Sequence, residues 1–473
     1  MRKTKIICTL GPATSSEEKI KTLFYAGMDT ARVNFSHGTY EEQQAKINSF
    51  KRARAATGVP AALLLDTKGP EIRLKEFKDG SVWLEEGKEF TLYCHDVDQG
   101  NATGAAVNYV KLHQKVKSGD VILIDDGKVE LQVEKVLKGD IVCKIISGGK
   151  VSDRKSVNVP GIALDMEYLS EEDKGDIIFG LKNDIDYIAA SFVRGKDDVL
   201  KLRDFLKDND ARGIKIISKI ENEEGLNNFE EILKVSDGIM VARGDMGVEL
   251  DFEKIPGIQK NIIKRCCETG KTVITATQML ESMIENSTPT RAEITDVANA
   301  VYDGTSAVML SAETAVGKFP IETVKIMTRI LEQAEEDLSD QNVREKNYSY
   351  EPRDVSDAVG HAACQAAGDL KVKAIIAVTQ SGYTAEKISK YKPQMPILAA
   401  TPNLKTYFQQ SLTRGVCPVL TKCTDQWQPL MRESINQAKE AGFVEKGDQI
   451  VICAGMPLQE TGKTNLMRIE DVV

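Results

Sequence analysis

Two carboxylates and a lysine carry the densest chemistry in this sequence. Glu221 and Asp245 are hard oxygen donors of the kind magnesium takes, with water and substrate completing an octahedron. Lys219 stands two residues before Glu221. On a strand those two side chains share a face, so an ammonium and a metal could address one substrate oxygen. That pairing suits a developing enolate, whose charge is stabilised by a Lewis acid and a fixed cation. Arg32 and Arg73 bring the guanidinium fork that matches phosphoryl oxygens in bidentate fashion. Asn34, Ser36, Asp66 and Thr67 supply neutral or singly charged oxygens, a set that fits a weakly bound monovalent ion better than a transition metal.

Each group also has a plainer reading. A lone Lys-x-Glu strand end is usually a rim ion pair worth about 0–1 kcal/mol. An Arg beside Asn and Ser is most often solvated or part of a cap. His37-Gly38 reads as a turn, and His95, His113 and His361 have no metal-ligand spacing. Coincidence of position separates the two readings, and that depends on the elements that carry the residues.

Short apolar runs rich in β-branched residues alternate with longer amphipathic segments, the pattern of βα units on a parallel sheet. The spacing predicts strands over residues 4–10, 30–35 and 61–65, and again over 187–192, 215–220, 238–242, 272–277 and 307–310. Eight such units close most simply as a (β/α)8 barrel of the TIM type, with chemistry on the loops at the C-terminal strand ends. Polar clusters follow six of the strands, at 32–38, 66–73, 218–222, 242–245, 275–278 and 311–314. Six clusters at one mouth are hard to explain as six independent accidents.

Between the third and fourth strands the rhythm changes to Gly-punctuated alternation, with strands over 81–84, 89–93, 121–124, 128–136 and 141–146. We read an inserted β domain over 70–166 and a discontinuous barrel over 1–69 and 167–343. A polar stretch over 337–354 is the expected linker. Beyond it, 344–473 reads as an open α/β domain, with strands at 374–379, 396–400, 416–420 and 449–453.

The 473 residues exceed what one core usually serves. At 41% hydrophobic and 28% charged, the composition is that of a globular protein rather than a disordered or fibrous one. A net charge of -9 argues against a nucleic-acid partner. It leaves polyphosphates open, because a few local cations set the field inside a cleft. No apolar run approaches the roughly 20 residues of a bilayer span. The basic start is followed by an apolar run too short for an export signal, so no membrane association and a cytoplasmic location are expected. The nine Cys include no CxxC pair, so neither a disulfide framework nor a thiolate zinc site is expected. The vicinal pair Cys266-Cys267 could be redox active, but a plain position in a helix is the role expected of it.

Several segments closely resemble the signatures of pyruvate kinases. They are Arg-Val-Asn-Phe-Ser-His-Gly at 32–38, Leu-Asp-Thr-Lys-Gly-Pro-Glu-Ile-Arg at 65–73 and Ile-Ser-Lys-Ile-Glu-Asn at 217–222. Met-Val-Ala-Arg-Gly-Asp-Met-Gly at 240–247 and Ala-Thr-Gln-Met-Leu at 276–280 continue the match, as do Pro-Thr-Arg-Ala-Glu at 289–293 and Asp-Val-Ala-Asn at 296–299. Their order and spacing cover essentially the whole chain. The resemblance implies a central barrel, a mobile β lid and a C-terminal α/β domain in a homotetramer. It implies transfer of the phosphoryl group of phosphoenolpyruvate to ADP, giving pyruvate and ATP in the last step of glycolysis.

The resemblance also implies roles. Lys219, Arg32 and Thr277 would be catalytic, with Arg32 on the phosphoryl group. Gly244, Asp245 and Thr277 would contact substrate beside Lys219 and Arg32. Glu221 and Asp245 would hold Mg2+ or Mn2+, and Asn34, Ser36, Asp66 and Thr67 would hold K+. Glu71, in place of a lysine that could substitute for the ion, matches the potassium-requiring members. Asn34, Phe35, Ser36, His37, Arg73 and Lys155 would bind the nucleotide. Ser311 and Glu313 are weaker candidates for relaying a proton to the enolate. Ser156 and Ala312 stand where the family often has Gly.

In the third domain, Thr379, Ser381, Gly382 and Thr384 follow a strand and open a helix, where backbone N–H groups and hydroxyls can cradle phosphate. Ser/Thr capping is the ordinary alternative. The segment resembles the effector loop of sugar-phosphate-activated members, which implies a sugar-phosphate or nucleotide effector covered by the 455–465 loop. Two rivals stay open from the residues alone. A magnesium-dependent lyase or aldolase would also pair carboxylates around an enolate, and a dead metabolite sensor would have lost Lys219, Glu221 or Asp245.

Overall fold

The structure is a computed structural model and describes residues 1–340, 353–422, 426–458 and 460–473. Eight parallel strands close a barrel: Lys5–Thr9, Thr30–Asn34, Ala62–Asp66, Tyr187–Ala190, Lys215–Ile220, Gly238–Ala242, Thr272–Ala276 and Ala307–Leu310. The eighth pairs with the first, Lys5 opposite Ala307. Side chains alternate in and out of such a wall. Ile7, Leu64, Ala189, Ile217, Met240, Ile274 and Met309 fill the interior as one cluster. Their neighbours Ile6, Leu63, Ile188, Ile216, Ile239, Val273 and Val308 face the outer helices in a second, larger one.

That alternation positions the site. Two residues further along each strand the same inward face carries Thr9 after Ile7, Asp66 after Leu64, Ser191 after Ala189, and Lys219 after Ile217. The register places Arg32 opposite both Thr9 and Leu64, so it points inward as well.

The chain leaves the barrel after the third strand and builds a seven-stranded sheet plus a two-stranded one. Their own core includes Leu84, Phe90, Leu92, Ile122, Leu131 and Ile141. Strands expected over 81–84, 89–93 and 121–124 are present, and longer ones run Val129–Leu137 and Asp140–Ser147. The pieces Ile72–Arg73, Gly104–Ala106, Gly149–Ser152 and Ser156–Asn158 are two to four residues long, too short to show a period. Asn158 Nδ2 donates to Glu249 Oε1 at 2.7 Å, and Arg194 Nη1 to the carbonyls of Leu164 and Met166 at 2.9 and 3.0 Å. These bonds tie the lid to the barrel.

The C-terminal sheet runs in the order Val416–Leu420, Ile397–Thr401, Ala374–Val378, Gln449–Ala454, Leu466–Asp471, the last antiparallel. That last strand was not expected from the sequence. Its pairing leaves most of its side chains exposed, so no apolar run marks it. This domain docks on the N-terminal end of the barrel. Tyr187 Oη donates to Gln409 O at 2.7 Å, the Arg54 guanidinium lies 3.6 Å from the Phe408 ring centre, and Leu412 joins the barrel interior.

The expected linker begins later than 337. The helix Pro320–Asp340 carries Leu338 against the barrel core, which keeps that turn helical, and Asp354 N-caps the next helix, Val355–Asp369. The stretch 341–352 lies outside the described residues. Among the described residues no helix is long and apolar enough to cross a membrane.

Candidate active site

Asp66 is the hub of the barrel mouth. It is 1% exposed, with Oδ2 accepting from Arg32 Nε at 2.6 Å and Oδ1 from Lys219 Nζ and Ser191 Oγ, both at 3.2 Å. Burial alone would raise its pKa, but the adjoining Arg32 and Lys219 outweigh that and hold it below the ordinary value. Arg32 also donates through Nη1 to Thr9 Oγ1 at 2.9 Å, so its orientation is set from two strands.

Lys219 Nζ reaches Ser191 Oγ at 2.8 Å and Glu221 Oε1 at 2.9 Å. Burial disfavours its charge, yet Asp66 and Glu221 more than compensate, and its pKa lies above the ordinary lysine value. The amine is therefore a fixed cation, not a base. Glu221 is fully buried. Burial, with Asp245 adding repulsion and Lys219 opposing, raises its pKa well above the carboxylate range. Its Oε2 accepts from the Phe192 N–H at 2.6 Å. Its Oε1 is ion-paired with Lys219 Nζ. A buried carboxylate oxygen with a lone pair to spare beside a second carboxylate is what a hard divalent cation would use. Among the described residues no three His, Cys, Asp or Glu converge, so water or substrate oxygens would complete the shell.

Asp245 and Gly244 lie in the first turn of a short helix, Arg243–Glu249. Gly244 N–H donates to Thr277 Oγ1 at 2.8 Å. Thr277 and Gln278 have left-handed φ of 65° and 53°, a conformation costing on the order of 1–3 kcal/mol each. Arg243 holds them there. Its buried guanidinium donates to Thr277 O at 2.5 Å, to Ala276 O at 3.3 Å and to Asp296 Oδ2 at 2.6 Å. Opposite, Glu313 accepts the Ser311 and Leu280 N–H groups at 2.7 and 3.3 Å, while Ser311 Oγ is buried without a partner.

The expected K+ donors lie together. Asn34 is opposite Asp66 in register. Its Oδ1 accepts the Ser36 N–H at 3.0 Å, and Thr67 Oγ1 accepts the Ser191 N–H at 3.1 Å. Gln43, 1% exposed, fixes this loop by donating to Asn34 O and His37 O, both at 2.7 Å. The Phe35 ring is turned into the core against Phe179 and Tyr40, so only its backbone faces the mouth. Burial lowers the His37 pKa, and Arg73, Arg32, Lys155 and Lys46 lower it further. Arg73 is paired with Glu71 at 2.7 Å and donates to Arg154 O at 2.8 Å. Lys155 is paired with Asp125 at 2.7 Å, an acid in the lid itself. Neither Ser156 nor Ala312 has positive φ, so the glycines they replace are not required at those positions.

Ser191, Thr9, Arg243 and Gln43 were not assigned roles from sequence. A hydroxyl inside an apolar run, as at Thr9 and Ser191, carries no charge signal, Gln43 is one polar residue among many on its helix, and Arg243 reads only as part of a polar cluster. The inward phase of each strand, continued two residues past the core, would have found Thr9 and Ser191.

At the third-domain loop, Thr379 Oγ1 accepts the Gly382 N–H at 3.0 Å. Thr384 is buried, 2.9 Å from Thr464 through the hydroxyls. Gly382 has φ +89°, and a Cβ there would lie 2.1 Å from Gln410 Nε2, so only glycine fits. Thr379, Ser381 and Thr384 line a cavity of about 30 Å³ with Gly455, Gly462 and Lys463.

The barrel-domain model of pyruvate kinases matches residues 1–324, and the alpha/beta-domain model of pyruvate kinases matches residues 357–470. The chain is 44% identical to a pyruvate kinase of Clostridium acetobutylicum and 46% identical to one of Clostridium perfringens, each over the full length of both chains. It is 46% identical to a pyruvate kinase of Staphylococcus aureus, of which it covers 80%. A crystal structure of a pyruvate kinase from Cryptosporidium parvum, 37% identical, superposes with a TM-score of 0.92 over 100% of this chain and 96% of that one. This chain belongs to the pyruvate kinase family.

Proposed function

We propose that this chain transfers the phosphoryl group of phosphoenolpyruvate to ADP, giving pyruvate and ATP. The observation that carries the reading is the buried cation pair Arg32 and Lys219, bridged by Asp66, with Glu221 beside it. Two fixed cations at one inward-facing point give a transferring phosphoryl group and an enolate oxygen a preorganised place to put charge. Arg32 would bind the phosphoryl oxygens, and Gly244, Asp245 and Thr277 would orient the carboxylate end. A β-phosphate oxygen of ADP attacks phosphorus in line. The bond from phosphorus to the enol oxygen breaks, and protonation of the resulting enolate gives pyruvate.

Glu221 and Asp245 would hold a divalent cation, Mg2+ or Mn2+, which supplies Lewis-acid charge at the reacting oxygens. Asn34, Ser36, Asp66 and Thr67 would hold K+. His37, Arg73 and Lys155, with the backbone at Asn34, Phe35 and Ser36, would bind the nucleotide phosphates, the lid closing Lys155 over them. Ser311 and Glu313 line the same mouth, but both Glu313 oxygens are spent on backbone N–H groups, which favours a bracing role.

We take the division into barrel (1–69 and 167–343), lid (70–166) and C-terminal domain (344–473) as the working one, since the barrel, the inserted sheets and the C-terminal sheet each have a core cluster made of their own residues. A sugar phosphate or nucleotide at Thr379, Ser381, Gly382 and Thr384, a cytoplasmic location and a homotetramer complete the proposal. Sedimentation that shows a stable monomer at working concentration would remove the tetramer. Phosphorus NMR of the protein with phosphoenolpyruvate, ADP, Mg2+ and K+ tests the reaction itself. Matched growth of ATP and pyruvate supports it, and release of inorganic phosphate or no turnover rejects it.

A further inference from the structure

The vicinal cysteines lie in the helix Ile255–Thr269 on the outside of the barrel, and their surroundings differ. Cys266 is fully buried in the barrel core, and burial pushes its thiol far above the ordinary value. Cys267 faces the C-terminal domain. Its Sγ lies 3.2 Å from Lys392 Nζ, the lysine reaching across from that domain. Both groups also converge on Gly304 O, Sγ at 3.4 Å and Nζ at 3.1 Å. Cys267 and Lys392 line a cavity of about 30 Å³ at this seam, with Gly270, Ser306 and Lys390. That volume admits a water-sized molecule, and hydrogen peroxide is little larger. Successive helical residues point about 100° apart, so the lysine amine, not the neighbouring thiol, is the nucleophile placed to meet an oxidised Cys267.

We propose that Cys267 and Lys392 form a peroxide-dependent sulfur–nitrogen link between the barrel and the C-terminal domain. In the first step Sγ attacks one peroxide oxygen. The O–O bond breaks, water leaves, and the sulfur, oxidised by two electrons, becomes a sulfenic acid. In the second step Nζ, as the neutral amine after passing a proton to water, attacks that sulfur. The S–O bond breaks, and the departing oxygen leaves as a second water. One thiol, one amine and one peroxide thus give one sulfenamide and two waters. Two equivalents of a small thiol reverse it, returning Cys267 and Lys392 and leaving one disulfide of the reductant. The link adds a covalent bond between two domains that otherwise meet through hydrogen bonds, ion pairs such as Lys405–Asp186, and packing.

The test is peptide mass spectrometry of the full-length protein after hydrogen peroxide treatment and alkylation, for wild type, Cys267→Ser and Lys392→Arg. Neither residue belongs to the barrel mouth, so pyruvate formation by both untreated variants stays at the wild-type level and confirms folding. The expected result is a cross-linked peptide joining Cys267 to Lys392, lighter by two hydrogens than its separate parts. It is lost in both variants and after dithiothreitol. Cys267 recovered as a free alkylated thiol, as a sulfinic acid, or in a disulfide with Cys266, with no joined peptide, overturns the proposal.

Discussion

Replacing Asp66 by Asn removes one negative charge while keeping nearly the same shape. The carboxylate is buried, and it is the shared counter-charge of Arg32 at 2.6 Å and Lys219 at 3.2 Å. With an amide in its place, Arg32 loses the carboxylate it is paired with, Lys219 keeps Glu221 in contact and Asp245 further off, and one amide N–H is turned toward an N–H donor. Removing one partner of a buried ion pair costs about 3–5 kcal/mol. For a domain of this barrel's size each kcal/mol moves the melting point by about 2–4 °C, so the unfolding midpoint should fall by on the order of 10 °C. The assay is calorimetry of wild type, Asp66→Asn, Lys219→Met and the double variant. Once Lys219 is gone, Asp66 has fewer cations to balance. The double variant should then be more stable than the summed single losses imply, by about 0.5–3 kcal/mol. A midpoint for Asp66→Asn within a degree or so of wild type, or strict additivity, would refute the view that Asp66 is the electrostatic hub.

Three further outcomes follow from the geometry. Arg243→Lys keeps the charge but cannot bond Thr277 O, Ala276 O and Asp296 together. Steady-state kinetics should show kcat down by about 10²-fold, the cost of small misplacements at a reacting centre, and an unchanged kcat would show that the left-handed turn holds itself. Glu221→Gln should weaken Mn2+ binding, read by titration calorimetry, by more than the roughly 10–100-fold that loss of an outer-shell partner costs; equal affinity would move the metal elsewhere. In the C-terminal domain, buried Asp357 meets Lys390 Nζ at 2.6 and 2.9 Å. Burial opposes ionisation, but Lys390 and the Arg353 N–H outweigh it and depress the Asp357 pKa. A depressed carboxylate stabilises above its unfolded value of about 3.9 and loses that contribution as pH falls through the folded one. Acid unfolding monitored by circular dichroism should therefore be less steep below about pH 4 for Asp357→Asn, which starts less stable at neutral pH, and an unchanged slope would count against it.

The barrel was legible in the sequence because its strands are short apolar runs, most of them with β-branched residues, and polar clusters follow six of them; all eight strands lie within a residue or two of where the pattern put them. The C-terminal edge strand Leu466–Asp471 and the short pieces Ile72–Arg73, Gly104–Ala106, Gly149–Ser152 and Ser156–Asn158 were not, since pairing rather than periodicity creates them. The charged members of the site, Arg32, Asp66, Lys219, Glu221 and Asp245, stood out as charges at strand ends. Ser191 and Thr9, which fix the reach of Lys219 and Arg32, did not, because one hydroxyl between apolar neighbours looks like core. The Arg243 bracket joins residues more than thirty positions apart, and nothing local in sequence reveals it.

In the proposed reaction Lys219 is the fixed cation for phosphoryl transfer at a potassium-dependent site. The most direct measurement is pyruvate formation from phosphoenolpyruvate and ADP, coupled to NADH oxidation, by wild type and Lys219→Met, with Mg2+ and with or without K+. Wild-type turnover should require K+, and the variant should fold and bind nucleotide but lose nearly all turnover. Undiminished turnover by Lys219→Met, or none by folded wild-type protein under any cation, would contradict it.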